Sequence, residues 1–384
     1  MRRVRVRLRA RPADKYQVTV GAGALRLSGD IARRALTPAA RRLALISNPT
    51  VFELYGSTVL ESLRAADFQV VHLLIGDGER HKNFHTLERA LAFLSAAALE
   101  RNDAVVALGG GVVGDLAGLA AALYLRGIAL VQLPTTLLAQ IDASVGGKAA
   151  VNTSHGKNLF GAFHQPRAVI VDTETLCTLP ARELTAGWCE AVKQGAAGDR
   201  ALFDDTFDFL KNEQAQPALQ PSARAFKLAR LIAAQVAFKA SIVSGDERED
   251  AARTDHRSRR ILNFGHTTAH ALESITRYRR FRHGEAVGYG MLAAGEISKK
   301  LGMLDGSELE LLREAVRYCG RLPRADDLDP TQIIGALALD KKSVGGAIKW
   351  VLLERLGRAA IVDGRALNPR TLRASIRAAL HAAA

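Results

Sequence analysis

The sequence predicts an α/β protein with an added helical half: a parallel sheet covered by helices over residues 1–178, then a mostly α-helical domain over residues 179–384. Three observations point there. The 384 residues exceed the roughly 250–300 at which a single hydrophobic core stops growing, so two domains are expected. Through residue 175, short apolar runs alternate with helical or glycine-rich stretches, the pattern of parallel strands joined by crossover helices. After Leu179-Pro180 strand-like runs become scarce and long amphipathic stretches take over.

In chain order, MRRVRVRLRARP alternates Arg3, Arg5, Arg7 and Arg9 with Val4, Val6 and Leu8, the period of a half-buried strand, and it lacks the apolar centre of a secretory leader. Apolar, β-rich runs at Leu43–Ile46, Val70–Leu74, Ala104–Leu108, Ala129–Leu133 and Ala168–Val171 are expected to form strands. The stretch Leu116–Ile128, interrupted by Arg126, reads as a buried helix. It falls short of the roughly 18 apolar residues of a membrane span, so no membrane partner is expected. GKNLFGAF (Gly156–Phe163) reads as an apolar helix or turn. Helices are expected at Ala223–Val243, His266–Ile275 and Glu285–Leu301, and the charged, aperiodic Glu249–Arg260 resembles a flexible insertion.

Hydrophobic residues, 48% of the chain, supply ample core. Lys and Arg, 53 against 39 acidic residues, leave a net charge of +14. Because the basic residues are dispersed and no nucleic-acid motif accompanies them, they read as a solvated surface that attracts small anions, not as a nucleic-acid interface. Cys177, Cys189 and Cys319 are odd in number and lack CxxC spacing, which argues against a disulfide framework or zinc knuckle and for a reducing cytoplasm.

DAVVALGGGVVGDLAG (Asp103–Gly118) places a glycine turn between a buried strand and a helix. Glycines let the backbone approach a pyrophosphate, and free N–H groups at the helix start meet its charge. The spacing is GGGxxGD rather than GxGxxG, and a tight strand-to-helix turn needs glycine in any case. DGERHK (Asp77–Lys82) follows a second strand, with Glu79 suited to ribose hydroxyls and Lys82 to phosphate. Thr135 and Thr136 of PTTLLAQIDASVGGK follow a third. Three polar strand ends at the carboxyl edge suggest one shared crevice.

In LNFGHTTAH, His266 and His270 are four apart and share a helix face. Such a pair is common by chance, but HGEAVGYGM adds His283, and AGWCEAVKQG adds Glu190 beside Lys193. A catalytic zinc usually takes three protein ligands and keeps open positions, so one histidine should be left for proton or hydrogen-bond work. Lys148, Lys157, Lys193, Lys239, Arg259, Lys341 and Lys342 each read singly as surface cations. Together with the metal set they suggest a substrate bearing phosphate and carboxylate groups.

GGGVVGDLAG, YLRG, PTTLLAQIDASVGGK, GKNLFGAF, LPARELTAG, EAVKQG, LNFGHTTAH, HGEAV and DKK occur in the order seen in 3-dehydroquinate synthases, and from Asp77 to Leu353 the chain resembles that family. The resemblance implies a Rossmann-like N-terminal domain, a mostly helical C-terminal domain and an active site in the cleft between them. It implies Zn²⁺, with Co²⁺ as a substitute, on Glu190, His266 and His283, leaving His270 for substrate. It implies NAD on Asp77, Gly78, Glu79, Lys82, Gly111, Val112, Val113, Gly114, Asp115, Thr135 and Thr136, and near Lys148, Lys157, Thr175, Leu176, Cys177 and Thr178.

Substrate, an anionic sugar phosphate, would be held by Asp142, Lys148, Asn158, Lys193, Lys239, Arg259, Asn263, His270 and a lysine of the Lys341–Lys342 pair. Arg126 would reach a neighbouring subunit's phosphate pocket, implying a homodimer. The implied reaction converts 3-deoxy-D-arabino-heptulosonate 7-phosphate to 3-dehydroquinate and phosphate. It proceeds through transient oxidation by NAD⁺, phosphate elimination, re-reduction, ring opening and an intramolecular aldol. The chain departs from the pattern at His164 and Gln194, where tyrosines are common, and by about six extra residues before Arg259. Asn263, His270 and Arg259 favour a carboxylate-bearing substrate over the valiolone and inosose types, leaving an amino-dehydroquinate synthase or a metal-dependent polyol-phosphate dehydrogenase as alternatives.

Overall fold

The computed structural model describes residues 15–154, 156–215, 221–343 and 348–382. The strand expected at Arg3–Arg9 lies outside the described residues. The first half contains β1 (Gln17–Gly21), β2 (Arg42–Ser47), β3 (Gln69–Leu74), β4 (Ala104–Gly109), β5 (Ala129–Pro134), the hairpin β6 (Lys148–Thr153) and β7 (Gly156–Phe163), and β8 (Ala168–Asp172). Six of these form one parallel sheet, ordered β1-β8-β5-β4-β2-β3. All five expected runs lie within its strands. Every residue of β4 is buried, as expected for a parallel strand covered on both faces.

Helices α1 (Ser28–Ala35), α2 (Pro49–Ala65), α3 (Phe84–Ala96) and α4 (Gly111–Leu123) supply the cover. Leu116 and Ala120 of α4 pack with Ala44, Ile46 and Val105 on one face. Val59 and Leu63 of α2 pack with Leu43, Val106 and Leu108 on the other. Strand order reverses between β2 and β4, so their carboxyl ends open the crevice where ligands bind in such sheets.

Two local expectations are corrected. GKNLFGAF is strand β7, not a helix or turn. Gly161 lets it lie against β6, since a Cβ there would sit 2.3 Å from the Ala149 carbonyl oxygen. The Leu116–Ile128 helix stops at Leu123, where Leu125, Arg126 and Gly127 take positive φ angles of 50°, 66° and 116° and turn the chain into β5.

The second half comprises α5 (Ala181–Gly198), α6 (Arg200–Ala215), α7 (Pro221–Gly245), α8 (His266–Ile275), α9 (His283–Lys300), α10 (Gly306–Tyr318), α11 (Pro330–Ser343), the antiparallel pair β9 (Lys349–Arg355) and β10 (Arg358–Asp363), and α12 (Pro369–Ala382). Helix α9 is buried from Gly284 to Ser298, as befits a helix surrounded by others. A Cβ on Gly284 would stand 1.9 Å from the Ala186 carbonyl oxygen of α5, and one on Gly290 1.9 Å from that of Gly265, just before α8. Backbone contact at both points brings the starts of α8 and α9 up to α5.

The Glu249–Arg260 segment is not a loose insertion. Buried Asp246 accepts hydrogen bonds from the backbone N–H of Asp250 (2.8 Å) and Arg259 (2.8 Å) and from Ser258 Oγ (3.3 Å), closing the loop at its base.

Candidate active site

Glu190 on α5 is fully buried, and its Oε1 lies 3.9 Å from His266 Nε2 and 3.6 Å from His283 Nε2. One ligand atom from each residue falls within 4.8 Å of the others. Glu190 Oε2 pairs with Lys193 Nζ at 2.6 Å, whereas Oε1 has no hydrogen-bond partner among the described residues. A buried carboxylate oxygen left without a partner is costly, and a cation at Oε1 would satisfy it. Tetrahedral zinc with bonds of about 2.0–2.1 Å spaces its donors about 3.3 Å apart, close to the 3.9 and 3.6 Å between Glu190 Oε1 and the two imidazoles.

The imidazoles are aimed from behind. His266 Nδ1 is 3.3 Å from the Phe264 carbonyl oxygen, and His283 Nδ1 is 3.4 Å from Glu273 Oε2, leaving both Nε2 atoms toward Glu190. Such outer partners fix the tautomer of a metal-binding histidine. Burial and then the Lys193 charge hold His266 well below the ordinary histidine range, so it is neutral. The His270 ring centre is 5.5 Å from that of His266 and 5.9 Å from that of His283, and His270 is exposed.

Beside the trio lies a cationic cluster. Lys193 and Lys239, both buried, meet Asp142, at 3.5 Å from Lys193 and in direct contact with Lys239. Burial would raise the Asp142 carboxyl, but the Lys239 and Lys193 charges override it and hold it well below the usual range. Burial lowers Lys239. In Lys193 the Glu190 and Asp142 charges overcome burial and raise it. Buried Arg259 donates to the Gly146 carbonyl at 2.9 Å, and Asn263 Nδ2 donates to Glu249 Oε1 at 2.9 Å. Lys148 pairs with Glu249 and is half exposed. Lys341 and Lys342 lie near the end of α11, and their side chains fall outside the described residues. Arg126 is exposed on its strained turn, on the far side of α4 from the glycine turn.

At the carboxyl edge, a Cβ on Gly110 would lie 2.9 Å from Thr136 Cγ2, and one on Gly114 2.9 Å from Gln132 Oε1. Glycine at these positions lets the start of α4 lie close against the end of β5. Thr135 Oγ1, which follows β5, is buried without a hydrogen-bond partner among the described residues. Lys82 bonds Asp115 and Asn158 Oδ1, the latter at 2.5 Å. Glu79 accepts from Asn152 Nδ2 at 2.7 Å, and exposed Asp77 accepts from Thr50 at 3.1 Å. Val112 borders the glycine turn while Val113 is core. Thr175 Oγ1 and Leu176 are buried, Thr175 bonded to Gln140 at 3.0 Å, whereas Cys177 and Thr178 are exposed.

Two carboxylates were not anticipated from the sequence. Glu249 reads there as the start of an insertion, yet it faces Lys148 and Asn263. Glu273 follows His270 by three and His266 by seven on the same face of α8, a spacing that carries the missed signal. Burial would raise its carboxyl, but the His283 hydrogen bond and the charges of His283 and Lys157 hold it down at about 2.

Fold and site define the class: an enzyme in which a parallel sheet ends in a glycine turn and a helical half carries a carboxylate–imidazole trio beside buried cations. Residues 72–186 match the family model for 3-dehydroquinate synthase N-terminal and residues 187–343 that for 3-dehydroquinate synthase C-terminal, and the chain belongs to the 3-dehydroquinate synthase family. It is 42% identical over 358 residues to the 3-dehydroquinate synthase of Pelotomaculum thermopropionicum, covering 92% of this chain and 91% of that one. It is also 42% identical over 350 residues to that of Bordetella pertussis, covering 91% and 93%.

Among solved structures it resembles ValA, the 2-epi-5-epi-valiolone synthase of Streptomyces hygroscopicus subsp. jinggangensis with NAD⁺ and Zn²⁺ bound, at 29% identity and TM-score 0.82 over 97% of this chain and 99% of that one. A 2-deoxy-scyllo-inosose synthase complexed with carbaglucose-6-phosphate, NAD⁺ and Co²⁺ matches at 26% and 0.80, over 95% and 97%. The NADH-dependent butanol dehydrogenase A of Thermotoga maritima, 15% identical with a TM-score of 0.68 over 98% of each chain, shares the fold.

Proposed function

We propose that the protein is a 3-dehydroquinate synthase, converting 3-deoxy-D-arabino-heptulosonate 7-phosphate to 3-dehydroquinate and phosphate with NAD as a recycled oxidant and zinc, or cobalt, as the metal. The observation that carries the reading is the buried Glu190, whose Oε1, without a hydrogen-bond partner among the described residues, faces two Nε2 atoms beside the Lys193–Asp142–Lys239 cluster. Residues 1–178 form the NAD-binding domain and residues 179–384 the metal- and substrate-binding domain. Glu190, His266 and His283 hold the metal, which supplies Lewis acidity to a substrate hydroxyl.

NAD lies along Asp77–Lys82 and Gly111–Asp115, with Thr135, Thr136, Lys148, Lys157 and Thr175–Thr178. The glycine turn and the unpartnered Thr135 hydroxyl suit it. Lys193, Lys239, Arg259, Lys148, Asn158, Asn263, His270 and the Lys341–Lys342 pair grip phosphate and carboxylate, while Asp142 holds Lys193 and Lys239 in place. Fixing both anionic ends orients the reacting carbons, and orientation supplies much of such an enzyme's rate. The departing phosphate serves as base, consistent with every buried carboxylate of the site being engaged by a cation or facing the metal position.

Exposed Leu123 and Leu125 flank Arg126 in the strained turn that presents it, supporting a homodimer in which each subunit lends Arg126 to the other. No helix among the described residues is long and apolar enough to cross a membrane, and three free cysteines accord with a cytoplasmic enzyme.

The test is incubation with the heptulosonate phosphate, NAD and zinc. One phosphate should be released per carbocycle formed, with no net NADH. Net NADH accumulation indicates a polyol dehydrogenase and refutes the proposal. Exhaustive chelation should abolish turnover, and zinc or cobalt should restore it; activity that survives chelation removes the metal role.

A further inference from the structure

Glu273 divides one buried carboxylate between the two halves of the protein. Its side chain is 2% exposed; Oε2 lies 3.4 Å from His283 Nδ1 and Oε1 lies 2.9 Å from Lys157 Nζ on β7. Lys157 is enclosed further, with Glu79 Oε1 at 3.9 Å and the Tyr278 ring centre at 4.6 Å. Tyr278 reaches it through a strained turn: Arg277 and Tyr278 have φ of 53° and 56°, and the Tyr278 N–H donates to the Glu273 carbonyl at 2.7 Å. Strain of this kind persists only where surrounding contacts over-determine it. A second ion on His270, Glu273 and His283, whose ligand atoms also lie within 4.8 Å, is disfavoured because both Glu273 oxygens already face His283 and Lys157.

We infer that Glu273 is a positioning residue that couples metal binding at His283 to dinucleotide binding at the Lys157 hairpin. The inference rests on the proposed metal and NAD sites. One oxygen fixes the His283 tautomer and ring angle, which leaves Nε2 free for the metal. The other anchors Lys157, which carries the hairpin. Neither contact can shift without disturbing the other, so an ion that immobilises His283 also preorganises Lys157. Reciprocity then requires NAD to tighten the metal by the same factor that the metal tightens NAD.

The test uses full-length wild type, Glu273→Gln, Lys157→Met and His266→Ala, each checked for folding by circular dichroism. Cobalt is titrated with and without NAD and followed by its visible absorption, and NAD is titrated with and without cobalt by calorimetry. Wild type should show mutual tightening, on the order of 5- to 150-fold. Glu273→Gln should bind cobalt about 10- to 100-fold more weakly, with an altered spectrum and no coupling. Lys157→Met, which keeps the Glu273 contact to His283, should still bind cobalt without NAD, more weakly than wild type but more tightly than Glu273→Gln, yet lose the coupling, and it tests the idea even if Glu273→Gln does not fold.

Wild-type coupling in both Glu273→Gln and Lys157→Met overturns the inference alone, provided His266→Ala has lost cobalt. Equal cobalt uptake by wild type and His266→Ala overturns the metal assignment, and this inference with it.

Discussion

Replacing Lys193 with Met separates the two cations that Glu190 can meet, an ammonium and a metal. Lys193 is 1% exposed, 2.6 Å from Glu190 and 3.5 Å from Asp142. At an effective dielectric constant near 20, those separations correspond to direct attractions of about 6 and 5 kcal/mol. Desolvation of the ammonium offsets much of this, and breaking a buried pair costs about 3–5 kcal/mol net. Asp142 keeps Lys239, so the charge left uncompensated is Glu190.

The metal-free variant should therefore melt on the order of 10 °C below metal-free wild type. Zinc should recover most of that loss, because it supplies the missing positive charge. It should raise the melting point of the variant more than that of wild type, where Lys193 competes for Glu190. Calorimetry of both proteins with chelator and with excess zinc measures this. A metal-free variant melting within about 2 °C of wild type, or equal zinc shifts in both, refutes the reasoning.

Gly290→Ala should drive a methyl into the Gly265 carbonyl, costing about 1–3 kcal/mol or more. Separating α8 from α9, it should weaken zinc binding more than NAD binding, which equilibrium titration would show. The Glu273 carboxyl, held at about 2 in the fold against an ordinary 4.5, makes a contribution on the order of 3 kcal/mol. Its folded value is depressed, so that contribution is fully present above about pH 4.5 and is lost as pH falls toward 2. The urea-unfolding free energy of metal-free wild type should fall between pH 5 and 3, and Glu273→Gln should flatten the slope. Arg126→Ala and Lys193→Met, each inactive alone, should regain about a quarter of wild-type activity when refolded together, since each mixed dimer then holds one intact site; no recovery argues that Arg126 acts within its own subunit.

Much was written in local sequence. Runs such as Ala104–Leu108 are apolar on both faces and fit only a covered parallel strand, and the 3.6-residue period announced α8 and α9. Periodicity and spacing placed His266 and His270 on one face and the glycine turn at a strand end, and the ordered motifs tied them to a family. Hydrophobic pattern and turn chemistry are short-range properties, which a linear reading can recover.

What the chain could not show by itself was convergence. Glu190, His266 and His283 meet because Gly284 and Gly290 let the α9 region touch Ala186 and Gly265 backbone to backbone, a contact between distant segments with no local signature. β7 was misread because GKNLFGAF becomes a strand only through pairing with β6. Glu249 read as the start of a charged insertion and Glu273 carried no reading of its own until folding set them against Lys148 and Lys157. The electrostatic environment of a carboxylate is decided by which remote cations packing brings within a few ångströms, and that is a property of the tertiary structure.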